Sequence, residues 1–125
     1  MVFVLYNVSM NREIKFREYN SHWNKMYEPF TLINAITAGG ISDRYNKHSI
    51  FMQYTGLKDI NGVEIYEGDI LTDGKNNTSS VEWRNFLASY MLDFNYANTE
   101  LYEVLLNKVK IIGNIYENPE LLDNK

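Results

Sequence analysis

His22 and His48 are the only histidines of the chain, and four carboxylates, Asp59, Glu64, Glu67 and Asp69, fall within one short acidic stretch. An imidazole beside a carboxylate can trade protons at neutral pH, and Asp43 precedes His48 by five residues in "SDRYNKHS", a spacing that would suit a nuclease or hydrolase dyad. Polar residues of a surface loop account for it without any mechanism, and no spacing joins the two histidines to each other or to a carboxylate as metal ligands. The acidic stretch could offer oxygens to a divalent cation, yet the calcium-loop spacing is absent and turn chemistry accounts for each residue. Gly39-Gly40 could cradle a phosphate, but no Lys or helix-opening Ser/Thr follows in P-loop order, so a plain turn is the reading. Cysteine is absent, which excludes disulfides and thiolate metal sites and suits a reducing cytosol. No catalytic, cofactor-binding or metal-binding residue is assigned, and the chain is read as a non-enzyme.

Binding chemistry is better represented. Tyr54, Tyr66 and Tyr116, with Gln53, Lys58 and Asn114, would make an interaction surface if the fold groups them, because tyrosine gives rigid amphipathic contact area at small entropic cost. The competing reading packs each ring on a barrel wall with its hydroxyl in water. Tyr and Phe could also stack single-stranded bases, although such sites come with a basic groove. The formal charge of -4 and a pI near 5.1 disfavour that use, since nucleic-acid affinity comes largely from Lys and Arg displacing counterions.

The elements that must position these residues read as short strands between tight turns. Ile14 and Phe16 alternate with Glu13, Lys15 and Arg17 as in a half-buried strand, Asn20-Ser21 turns it, and "KMYEPFTLINAI" follows as a second apolar run interrupted at Pro29. Together they form an N-terminal β-hairpin region. In "MQYTGLKDINGVEIYEGDIL", from Met52 to Leu71, Gly56, Asp59 to Gly62 and Glu67 to Asp69 are three turn signals. Asn61-Gly62 is the strongest, with Val63 and Ile65 expected on one face of the strand that leaves it. At the next turn Gly68 permits the reversal, Asp69 binds local amides and Ile70 goes inward. "DGKNNTSS" reads as a polar loop, and "SVEWR" as a strand. "FLASYMLDF" fits both periods and is taken as a strand. "NTELYEVLLNK" is taken as a short helix capped by Asn98 or Thr99. In "KVKIIGNIY", Val109, Ile111, Gly113 and Ile115 share a face, and Gly113 there implies close approach by another backbone or ring. Asn118 then caps, and Pro119 opens, a short C-terminal helical turn.

With 125 residues, 45% hydrophobic and 22% charged, the chain can bury a core as one domain, 1–125, and shows no bias toward disorder. The predicted class is α+β, mostly β: the hairpin region, then a small strongly bent sheet or SH3-like partly open barrel, with short helical elements near the C-terminus. "MVFVLY" is too short to span a bilayer and lacks the basic flank of a secretory signal, so no membrane partner and a cytoplasmic location are expected.

"MQYTGLKDINGVEIYEGDIL" and "IIGNIYENPELL", preceded by "REIKFREYN", in that order resemble the YopX family of bacteriophage and prophage proteins. The family's usual opening has Trp followed by Asp where this chain has Tyr19 and Asn20, and residues 74–107 are matched only by position. The resemblance implies a mostly β, α+β fold and expression inside a bacterial host. It brings no biochemical activity and no site residues. It also suggests Met10 as the natural start with 1–9 as an N-terminal extension, the rival being an extra edge strand from Val2 to Val8. The function expected is a phage or prophage accessory protein acting as a protein-interaction module, its partner a host or phage protein or a second copy in a homo-oligomer. A nucleic-acid-binding small β-barrel and a small barrel-type hydrolase or nuclease are the alternatives.

Overall fold

The computed structural model describes residues 13–37, 47–94, 97–100 and 108–122, of which 97–100 by backbone alone. The fold is mostly β, with one α-helix among the described residues and a strongly curled half-barrel sheet. The strands are β1 (Lys15–Asn20), β2 (Lys25–Met26), β3 (Phe30–Thr31), β4 (Ser49–Lys58), β5 (Glu64–Tyr66), β6 (Asp69–Thr72), β7 (Thr78–Ser80), β8 (Glu82–Arg84), β9 (Ser89–Phe94), β10 (Ala97–Glu100) and β11 (Lys110–Asn114). One sheet runs β2-β1-β4-β5 with β3 also on β1, a second β10-β9-β8 and a third β11-β6-β7. All described pairings are antiparallel.

The N-terminal hairpin forms as expected, because the Asn20 side-chain oxygen accepts from the amides of His22 and Trp23 and turns β1 into β2. Pro29 separates β2 from β3. The faces of β1, however, are the reverse of the sequence expectation. Arg17 and Tyr19 pair with Met52 and Ile50 on one buried face, while Phe16, half-buried, packs against Phe30 on the other, where Glu18 is fully buried, and Ile14 is exposed. The face of Arg17 and Tyr19 carries polar partners for Lys15 and Arg17, so charge pairing outweighs apolar alternation there. A six-residue helix α1, Leu32–Thr37, was also not expected. Thr31 and Asn34 cap it reciprocally: the Asn34 amide donates to Thr31 Oγ1, and the Thr31 amide to Asn34 Oδ1.

The Asp59 to Gly62 corner is held by one carboxylate. Asp59 Oδ1 accepts from the amides of Asn61 and Val63, each at 2.9 Å, and Oδ2 from that of Ile111 on β11, also at 2.9 Å. Gly62 adopts φ 78°, as the turn requires. Val63 stays in the turn and is exposed, whereas Ile65 is fully buried, so the two do not share a face. The Glu67 to Asp69 turn is as expected: Asp69 Oδ2 accepts from the Tyr66 amide at 2.8 Å and Ile70 is fully buried.

Beyond Thr72 the polar loop is shorter than expected, since Thr78–Ser80 pairs with β6 as β7. Phe86 and Leu87 form a 3-10 turn with Asn85, and the strand reading of "SYMLDF" holds as β9. Asn98 and Thr99 do not cap a helix. They lie in β10, whose antiparallel pairing with β9 supplies backbone partners that a helix start would lack; Leu101, Val104 and Leu105 lie outside the described residues. On β11 the register shifts between Ile111 and Gly113, a bulge that breaks the expected single face. Gly113 is closely approached, but by the Asn118 side chain and not by a backbone or ring: a Cβ would sit 2.6 Å from Asn118 Oδ1. Pro119 opens a 3-10 turn, Pro119–Leu122, the only helical element described near the C-terminus. Asn118 reaches back to the Asn114 amide at 3.2 Å.

Two clusters form the core. One is apolar: Ile65, Leu71, Val81, Leu92, Phe94 and Val109, joined by Tyr90. The other comprises Tyr19, Met52, Tyr54 and Tyr66, with Tyr116 packed against it. Residues 1–12 and 38–46, with the Met10 start, the Val2 to Val8 strand, Gly39-Gly40 and Asp43, lie outside the described residues.

Candidate functional site

Gly68 ties three parts of the chain together. Its amide donates to the Val81 carbonyl at 2.9 Å and its carbonyl accepts from the Ile115 amide at 2.9 Å, while the preceding Glu67 amide donates to the Gln53 carbonyl at 3.0 Å. This arrangement needs φ 81° at residue 68, and a Cβ there would sit 3.4 Å from Ile115 Cγ1. The knot holds β4, the β5–β6 turn, the start of β8 and the residues after β11 around an open groove of about 340 Å³.

Its lining is aromatic and acidic. Phe51 and Met52 come from β4, Glu67 and Gly68 from the turn, Val81, Glu82 and Trp83 from the β7–β8 segment, and Ile115 and Tyr116 from beyond β11. Phe51 and Trp83 are 43% and 44% exposed, large apolar side chains left partly open to solvent. The Trp83 ring meets Tyr90 edge-on at 5.0 Å, and Tyr116 stacks on Tyr19 at 5.0 Å, which fixes both rings from behind. Burial pushes the Tyr116 phenol pKa up, and the Glu67 charge adds to this against the opposing effect of Arg17; the hydroxyl stays protonated at neutral pH. Glu67 Oε1 accepts from the Gln53 amide at 2.8 Å, and Glu82 Oε2 from Arg84 Nη2 at 3.1 Å.

Of the six residues expected to form an interaction surface, the fold brings only Tyr116 to the groove. Tyr54 and Tyr66 are 5% and 3% exposed, their rings 5.5 Å apart inside the half-barrel. Lys15 lies over the Tyr54 ring at 5.3 Å and Arg17 over that of Tyr66 at 4.9 Å. The Tyr66 hydroxyl has no hydrogen-bond partner among the described residues, and its pKa is pushed up to about 12, by burial first and then by Glu64. Asn114 is buried and builds the C-terminal turn, its Oδ1 accepting from the amides of Tyr116 and Glu117. Gln53 is half-buried behind Glu67, and Lys58 is exposed at the far end of β4. Phe51, Trp83, Glu67 and Glu82 were missed as a group because strand pairing, not sequence proximity, assembles them.

The acidic stretch is dispersed to separate tasks. Glu64 accepts from Lys15 at 2.7 Å and thereby holds the Lys15 pKa above its ordinary value. Asp69, 1% exposed, accepts from Arg17 Nη2 at 2.6 Å; burial nevertheless raises its pKa, against the lowering effect of Arg17. Among the described residues no group of three His, Cys, Asp or Glu side chains is placed to hold a metal ion. The two histidines do meet, ring centroids 5.3 Å apart, because the Ser21 amide donates to the His48 carbonyl where β1 leaves β4. No helix among the described residues is long and apolar enough to cross a membrane.

The family model described as YopX protein matches residues 6–123. No curated protein matches the chain. Among solved structures, the chain is similar to protein EF1440 from Enterococcus faecalis, with 23% identity over 87% of this chain and 97% of that one, at a TM-score of 0.46.

Proposed function

The chain belongs to the YopX family, and from that premise we propose that it is a non-enzymatic interaction module, a phage or prophage accessory protein that docks a protein partner in the bacterial cytoplasm. The observation that carries this reading is the groove: Phe51 and Trp83 remain half-exposed on a backbone knotted at Gly68, with Tyr116 beside them. Rigid, partly exposed aromatic rings in a concavity are what recurrent binding anchors look like. Its carboxylates, Glu67 and Glu82, oppose a phosphate backbone, which speaks against the nucleic-acid reading.

The test is a tagged pull-down from host lysate after nuclease treatment, with Phe51→Ala and Trp83→Ala beside the parent. A stoichiometric protein retained by the parent and lost from both variants, at unchanged thermal midpoints, is the expected result. Equal capture by all three proteins would remove the groove from the account.

A further inference from the structure

We infer that the groove recognises an arginine side chain presented on the surface of its protein partner. This rests on the proposed docking role and names the chemistry of what docks. Among the described residues none of the side chains lining the groove is cationic, while two of them, Glu67 and Glu82, are carboxylates. The nearby guanidinium groups are already engaged, Arg17 by Asp69 at 2.6 Å and Arg84 by Glu82 at 3.1 Å. Glu67 differs. It accepts the Gln53 amide on Oε1 and has no salt-bridge partner among the described residues, although its charge is felt at Tyr116. The groove therefore combines electron-rich ring faces with one carboxylate that no cation among the described residues pairs.

A cation over an aromatic face is attracted by the ring quadrupole, with Trp the best of the rings. Guanidinium suits this lining better than ammonium: it is planar, stacks on aromatic faces, is more weakly hydrated and can present a fork of N–H donors to Glu67. Phe51, Trp83 and Tyr116 would take its flat face and the apolar stem, while the Glu67 carboxylate would accept from its edge. An anionic or purely apolar anchor would leave Glu67 desolvated without compensation.

The experiment is a titration of the whole chain with N-acetyl-arginine amide, with the N-acetyl-citrulline and N-acetyl-lysine amides alongside, followed by NMR at the Trp83 indole N–H and the amides of Gln53, Gly68 and Ile115. Citrulline keeps the shape and loses the charge. Saturable shifts confined to these groups are expected with arginine, weaker ones with lysine and none with citrulline. Glu67→Gln, which retains the acceptor for the Gln53 amide, should weaken arginine binding about fivefold, and Trp83→Ala about two- to fivefold. Equal shifts with citrulline, stronger ones with lysine, no shift at these groups, or indifference to Glu67→Gln would each overturn the inference. The pull-down separates this failure from that of the docking role: a partner still lost from Trp83→Ala keeps the groove as an interface for a different anchor, and a partner retained removes the interface whatever the titration shows.

Discussion

The two core clusters bury comparable side chains by opposite means. Around Leu92 and Phe94, 0% and 2% exposed, aliphatic and aromatic groups from β5, β6, the β7–β8 segment, β9 and the residue before β11 exclude water, and no ion belongs to the cluster. Around Tyr54 and Tyr66 the rings are interleaved with ions: Lys15 and Arg17 lie over ring faces and reach Glu64 and Asp69. The first cluster draws its stability from apolar area and close packing. In the second, the attraction within each ion pair is set against the cost of desolvating it. The groove lies between the two, its Val81 belonging to the first and its Met52 and Tyr116 to the second.

The comparison is broken most severely by truncation on the apolar side. Phe94→Ala should cost about 3–5 kcal/mol in chemical denaturation, by lost transfer energy and a residual cavity. Tyr54→Phe on the other side should change stability by less than about 1 kcal/mol. Near-equal losses would erase the distinction between the clusters.

Next in size is the ion pair. Arg17→Met alone should cost about 3–5 kcal/mol, because Asp69 would be left charged and 1% exposed. Arg17→Met with Asp69→Asn keeps an acceptor for the Tyr66 amide and removes both charges, and should recover most of that loss. A double mutant no more stable than the single one would show that the pair itself, and not the uncompensated charge, sets the cost. Asp59→Ala belongs with this class: three backbone amides lose their acceptor, for an expected loss of about 2–4 kcal/mol in equilibrium unfolding.

The smallest effect is a matter of pH. The Tyr66 pKa is about 12 against an ordinary 10.0, raised by burial first and then by Glu64. The native state therefore holds the phenolic proton more tightly than the unfolded chain does. This stabilisation is full below pH 10 and is lost as the pH rises toward 12. Thermal midpoints measured between pH 9 and 12 should fall less steeply for Tyr66→Phe than for the parent, and parallel curves would contradict the burial of that hydroxyl.

These same two regions explain how far the sequence could be read. The apolar side was the more legible: the Asn61-Gly62 turn, the buried Ile70 and the strand period of Tyr90, Leu92 and Phe94 follow from residue type and spacing, although Met91 is buried too and the segment also fits a helical period. On β1 the same rule pointed the wrong way, since Arg17 faces inward only because Asp69, far along the chain, is waiting there. The candidate site was the least legible part. Tyr54 and Tyr66 carry the right chemistry but are enclosed, while Phe51 and Trp83 come from strands of different sheets and line one groove through contacts that no local pattern encodes. Helix α1 was missed despite the Thr31 and Asn34 capping signal, because its apolar residues continue the run that precedes it.

The most direct test of the groove as the working surface is photo-crosslinking in cells that express the protein, with a photoreactive phenylalanine analogue at position 83 and, as a control, at the exposed position 75. The account predicts a discrete adduct with one protein from position 83, absent from position 75 and suppressed by Phe51→Ala. The same adducts from both positions, or none from position 83 in cells where the pull-down partner is present, would contradict it.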